Sequence, residues 1–215
     1  MTSICSRVAA FLIIALVASS TARCADTRRA GEIAEAGVWF EPVHFRSAEL
    51  DGPLTATDLT RIEAVARAEV ARAFAGLRLR ITDRRDALYM VRVVESVRDP
   101  RFRSQVEVAG ASWGFRFARG QGVVNFVFLA SGALANAPPG SDRSAKLEGI
   151  GRAIGRSVVH ELVHQFFPSD PIHSEDVESY EFHSASRPAQ YQGEMRWSRA
   201  WPLLQARFGS AGRRG

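Results

Sequence analysis

Cysteine and lysine are almost missing from this sequence. The two cysteines, Cys5 and Cys24, both fall within the first 24 residues. Once a leader is removed, at most one remains, so no internal disulfide can form and the fold must stand on its core and on any metal it holds. Lys146 is the only lysine, and nearly all positive charge is therefore arginine. Those arginines are scattered and interleaved with acids, as in Arg61-Ile62-Glu63 and Arg67-Ala68-Glu69. A nucleic-acid binder would gather its charge on one face or one helix. The pattern reads instead as a solvated, mildly basic surface, with a formal charge of +5 that falls to +4 if Arg7 leaves with a leader. No internal repeat or long low-complexity tract occurs, which excludes solenoids and arrays. What remains is ordinary. The 215 residues are 46% apolar and 24% charged, a composition and length that suit one domain with a single core.

The N-terminus reads as a segment apart from the fold. Arg7 precedes an apolar run over 8–17, and small residues fill 18–22. A positive start, a short apolar stretch and small residues near a cleavage point make a secretory signal peptide, and the run is too short for a membrane span. Cleavage after Ala22 puts Ser20 and Ala22 at the small-residue positions, and cleavage after Cys24 is nearly as good. Lipidation of Cys24 is disfavoured by Arg23, which stands where a small residue is needed. The expected organisation is a signal peptide over 1–22, a flexible lead-in over 23–36 and a single domain over 37–212. The mature protein would be periplasmic or secreted, with no integral membrane span.

Periodicity then places the elements. Residues 38–45 are rich in strand formers but contain Pro42, so they read as an edge strand or extended segment. A helix is expected over 58–75, with Thr57 as N-cap, Leu59, Ile62, Ala66, Val70 and Phe74 on one stripe, and Gly76 just beyond the end. Strands are expected at 77–82 and 87–95. A hairpin is expected from 106–117 and 123–130, with Arg119-Gly120-Gln121-Gly122 at its turn. After a Pro/Gly/Ser loop at 137–141, Leu147, Ile150, Ile154, Val158 and Leu162 mark a second long helix that Pro168 ends. Residues 197–208 carry a further helical pattern through Trp201, Leu204 and Phe208. Strands and helices in this unbalanced order define an α+β domain.

Histidine is scarce too: His44, His160, His164, His173 and His183 are the only five. Three of them cluster, beginning with His160-Glu161-Leu162-Val163-His164. On a helix, positions i and i+4 share a face one turn apart, so both imidazoles can reach one ion. Glu161 between them can face the attacking water as a general base without being a ligand. Two core-facing histidines with backbone partners would show the same spacing. A catalytic zinc takes three protein ligands and keeps one place open. Beyond the stop at Pro168 and a second proline, Pro171, His173 follows His164 by nine residues and is the preferred third ligand. Asp176, Glu175, Glu178 and His183 are the alternatives, while His44 reads as structural or exposed.

This segment resembles the metzincin clan of zinc proteases, whose pattern is HExxHxxGxxH followed downstream by a tight turn carrying methionine. His160, Glu161 and His164 match residue by residue. Phe167 stands where the clan has glycine, and His173 comes three residues later than the clan's third histidine. The segment is more similar to a group of bacterial metzincin-like proteins in which a longer loop ends in His-Ser, followed by Gly-x-Met and a tryptophan. His173-Ser174 and Gly193-Glu194-Met195-Arg196-Trp197 look like those parts. The resemblance covers 160–197 well and elsewhere extends only to element order.

It implies a small mixed sheet with an active-site helix and a C-terminal helix, one catalytic Zn2+ held by His160, His164 and His173, and Met195 as an apolar floor beneath them. It also implies that an extended substrate pairs with an exposed strand edge, at 106–117 or 123–130. Tyr180, Tyr191 and His183 are candidates to stabilise the oxyanion. The expected activity is hydrolysis of peptide bonds in a peptide or protein substrate by a Glu161-assisted, zinc-bound water. The expected protein is a monomer that does not bind nucleic acid. Two other readings stay open. One is a zincin whose third ligand is an acid, Glu178 or Glu181. The other is a non-catalytic, zinc-binding envelope protein that retains the protease fold, against which the intact Glu161 stands.

Overall fold

The computed structural model describes residues 33–97, 108–116, 119–168, 172–182 and 188–211. The expected signal peptide, most of the lead-in, both ends of the expected 106–117 strand and His183 lie outside these residues.

Strand β1 (Ala34–Phe40) begins inside the stretch expected to be lead-in. Ala34, Ala36 and Val38 are buried at alternate positions, the period of a pleated strand. It is an internal strand, not the expected edge, for it pairs in parallel with β4 (Leu79–Thr82) on one side and β5 (Tyr89–Val94) on the other. Pro42 does not interfere because it lies past the strand's end, where no ladder bond is lost. Between β1 and β4 come a two-stranded ribbon, β2 (Arg46–Ser47) with β3 (Gly52–Pro53), and helix α1 (Ala56–Ala73). The cap of α1 is Thr55, not Thr57. The Thr55 hydroxyl accepts from the Asp58 amide, and Asp58 accepts from the Thr55 amide at 2.8 Å. This reciprocal box needs an acid three residues on, and only Thr55 has one.

The sheet runs β4-β1-β5-β7-β6. Strands β5 and β7 (Arg119–Asn125) are parallel, and β6 (Gly110–Arg116) closes one edge antiparallel to β7. Two expectations fail at β7. The residues expected at the turn are strand. Gly120 and Gly122 are there for closeness: a Cβ on either would stand 2.6 Å from Gln165 Oε1 or 2.8 Å from Gln165 Nε2. The second failure is the expected strand 123–130, which ends at Asn125. Residues Phe126–Ala135 form helix α2, capped by the Asn125 side chain accepting from the Phe128 amide at 3.0 Å. A short run that is apolar on every side does not declare its period.

Helix α3 (Arg143–Phe166) is the spine of the domain, with Asp142 as its N-cap. It packs on α1, on α2 and across β5, β7 and β6. Glycines allow it to approach α1 closely. A Cβ on Gly151 would meet Val65 Cβ at 2.6 Å, and one on Gly155 would meet the Ala66 carbonyl oxygen at 2.7 Å. Beyond α3 come a short helix α4 (Ala189–Gln192) and the C-terminal helix α5 (Ala200–Phe208). The end of α3 is wedged in aromatic packing, with the Phe166 ring centroid 4.8 Å from those of both Tyr89 and Phe208. The result is an α+β domain with a five-stranded mixed sheet against helices. Among the described residues, no helix is long and apolar enough to cross a membrane.

Candidate metal centre

His160 and His164 stand one turn apart near the end of α3, and their Nε2 atoms are 3.0 Å apart. His173, from the loop after the helix, brings its Nε2 to 3.2 Å from that of His164. Among the described residues, these three form the only group of histidine, cysteine or acidic ligand atoms close enough to share an ion. The Phe167 cap and Pro168 turn the chain out of the helix, and a stitched loop turns it back. Ser174 N–H donates to the Glu181 carbonyl at 3.1 Å, and the Arg199 guanidinium donates to the His173 carbonyl at 3.2 Å.

The donor set suits a metal. His160 Nδ1 lies 3.1 Å from the Tyr180 carbonyl oxygen. An N–H donated there fixes the tautomer that leaves Nε2 as the lone-pair nitrogen, the usual arrangement behind a ligating histidine. Burial, and then the neighbouring His173, hold the His164 imidazole below its ordinary pKa, favouring the neutral form that ligates. Three imidazole nitrogens at this spacing can hold a metal ion, and the arrangement resembles the HExxH…H geometry of zincins.

Glu161 is 6% exposed, and its Oε2 is buried with no hydrogen-bond partner. Burial pushes its carboxyl up to about 7. The carboxylate rests on edge strand β6, where a Cβ on Gly110 would come within 2.6 Å of Oε1. The Ser112 hydroxyl latches the same strand to α3 by donating to the Glu161 main-chain carbonyl at 2.8 Å. A buried carboxylate with an orphan oxygen is costly, and such groups mark places where a protein handles protons or ions.

The acidic alternatives have other partners. Asp176 accepts from Arg196 Nε at 3.0 Å, and Glu178 pairs with the same guanidinium at 3.3 Å. Glu181 is 1% exposed and accepts from the Ser198 and Arg199 amides at 2.8 and 2.9 Å and from the Ala200 amide, so it caps α5. A carboxylate there satisfies orphan amides and meets the positive end of the helix. Glu175 is not in the group. His44 is exposed and faces Glu95.

Of the three candidates to stabilise an oxyanion, Tyr180 and Tyr191 set their hydroxyls against other groups. The Tyr180 hydroxyl donates to Glu69 Oε1 at 3.1 Å. Burial, and then Glu69, push that phenol up to about 12, so it stays a donor. The Tyr191 hydroxyl packs against Gly132 of α2. Met195, packed against the core, lines a cleft with Tyr180, Trp197 and Trp201. Its segment also braces the residue behind His160, since Tyr180 N–H donates to the Arg196 carbonyl and Arg196 N–H to that of Glu178.

Two buried charges went unforeseen. Glu69 and Arg156 are 4% and 3% exposed and meet at 3.1 Å. The sequence grouped Glu69 with solvated surface charge, yet it lies on the face of α1 shared by Ile62, Ala66, Val70 and Ala73. That coincidence with the apolar stripe was the signal available. Gln165 also went unforeseen. It is fully buried, and its amide both accepts from the Met90 N–H and donates to the Met90 carbonyl, at 3.1 and 3.0 Å. This fastens the residue after His164 to the sheet. No protein-family profile, curated protein or solved structure matches the chain.

Proposed function

We propose that this protein is an exported zinc-dependent endopeptidase. The observation that carries the reading is the convergence of three imidazole nitrogens, two of them on the helix that also holds Glu161, whose buried carboxylate has an unpartnered Oε2 and rests on a sheet edge. His160, His164 and His173 would hold the ion, which when bound supplies a Lewis acid that activates water and polarises the scissile carbonyl. Glu161 takes the proton of the attacking water and passes it to the leaving amine. Burial suits it to this exchange, because a desolvated carboxylate is a stronger base than a solvated one. An extended peptide adds to β6 as a further strand, its backbone pairing over Gly110 and Ser112 with the edge that is unpaired among the described residues. The apolar N-terminal leader supports export.

The third ligand is tested by comparing zinc retention in two variants. His173→Ala should lose zinc during dialysis against a weak chelator, whereas Asp176→Ala should keep it. Retention by His173→Ala with loss in Asp176→Ala would assign the third place to the acid.

A further inference from the structure

The pair Glu69–Arg156 has a role that stability does not account for. Replacing a buried ion pair with apolar residues of similar size is often neutral or stabilising, so holding one in the α1–α3 interface calls for another reason. The contacts supply it. Glu69 Oε1 accepts from both Arg156 Nε and the Tyr180 hydroxyl, each at 3.1 Å, and Glu69 Oε2 pairs with Arg72. Tyr180 is tethered at its ring end by this carboxylate, and its carbonyl, at the other end, meets His160 Nδ1 at 3.1 Å. Arg156, one turn before His160 on α3, donates to the Ala189 carbonyl at 2.7 Å and to that of Gly193. Those two carbonyls bracket α4 and open the segment leading to Met195 and Trp197, whose indole lies 4.9 Å from the Tyr180 ring. One buried carboxylate on α1 thus holds the residue that orients His160 and the segment that packs behind that residue.

We infer that Glu69 is a positioning residue for the metal centre, acting through Tyr180 to fix the tautomer and ring orientation of His160. The inference rests on the metal-site reading above. Partners one step behind a ligand are worth about 10–100-fold in metal affinity when removed, and a tether one step further back should act at or below the lower end of that range.

Tyr180→Phe is the discriminating variant, because it removes only the hydroxyl that reaches Glu69 and leaves the ring packing and the carbonyl. Two measurements are made on the full chain: zinc affinity by competition with a chromophoric chelator, and the imidazole 15N shifts of His160 in metal-free protein. The parent should show a single Nδ1–H tautomer and tight zinc binding. Tyr180→Phe should show a mixed tautomer and zinc binding weakened several-fold, up to about tenfold. Glu69→Gln should shift the tautomer in the same direction. Unchanged tautomer and unchanged affinity in Tyr180→Phe would overturn the inference while leaving the metal site standing. A parent with a fixed tautomer that takes up no zinc would refute the metal-site reading instead, with the tether intact.

Discussion

Replacing Glu161 by alanine should leave zinc bound and cut hydrolysis of a generic protein substrate by at least about a hundredfold, the lower end of what a general base contributes. The three histidines do not depend on this side chain, since its carboxylate faces Gly110 of β6 and the three imidazoles meet one another. Stability should move in the opposite direction from activity. The wild-type carboxylate is buried with Oε2 unpaired, and an unpaired buried carboxylate costs free energy that alanine does not. Thermal unfolding of Glu161→Ala should therefore occur at or above the parent's temperature. A variant as active as the parent would remove Glu161 from the reaction. A parent that binds zinc and hydrolyses nothing would favour the non-catalytic, zinc-binding alternative.

The second large effect should fall on folding. Arg156→Leu leaves Glu69 buried beside Tyr180 with its inner partner gone, and strips the Ala189 and Gly193 carbonyls of their donor. Removing one member of a buried pair costs about 3–5 kcal/mol, which in a domain of this size lowers the unfolding temperature by on the order of 10 °C. The double variant Glu69→Leu/Arg156→Leu should recover part of that loss, because a buried carboxylate no longer has to be held inside with only the half-exposed Arg72 as its charged partner. Calorimetry on the four chains of this cycle checks it. An Arg156→Leu protein within about 1 kcal/mol of the parent would show that the pair is better solvated than its burial implies.

Much of the site was legible because its chemistry is local. The i, i+4 histidines, the intervening glutamate and the helix stop at Pro168 are all fixed by helical geometry, and they stand where the spacing put them. The third histidine was legible as a residue type within reach, but the loop that returns it was not. That loop depends on Glu181 capping α5 and on Arg199, both distant from His173 in the sense that matters for pattern reading. In the fold, strands β4, β5 and β6 and helices α1, α3 and α5 lie where periodicity placed them, to within a few residues. Failures came where one residue type serves two purposes. Gly120 and Gly122 looked like turn residues because a turn favours glycine, yet Gln165 of α3 requires their bare Cα atoms. Phe126–Ala130 reads as strand or helix equally well, and the Asn125 cap decides it. Glu69 looked like a surface charge in an alternating run, and only the three-dimensional meeting with Arg156 and Tyr180 gives it a buried place. Tyr180 itself was noticed for its hydroxyl, while its carbonyl is the group that faces the site.

On the proposed reading, His160, His164 and His173 hold one zinc ion. Metal analysis of the purified chain, after equilibration with zinc and removal of the excess, tests it most directly. The parent should retain about one zinc per chain, as three imidazoles converging on one point require, and His160→Ala should retain none while still folding. A parent free of zinc, or a His160→Ala variant that keeps a full equivalent, would contradict it.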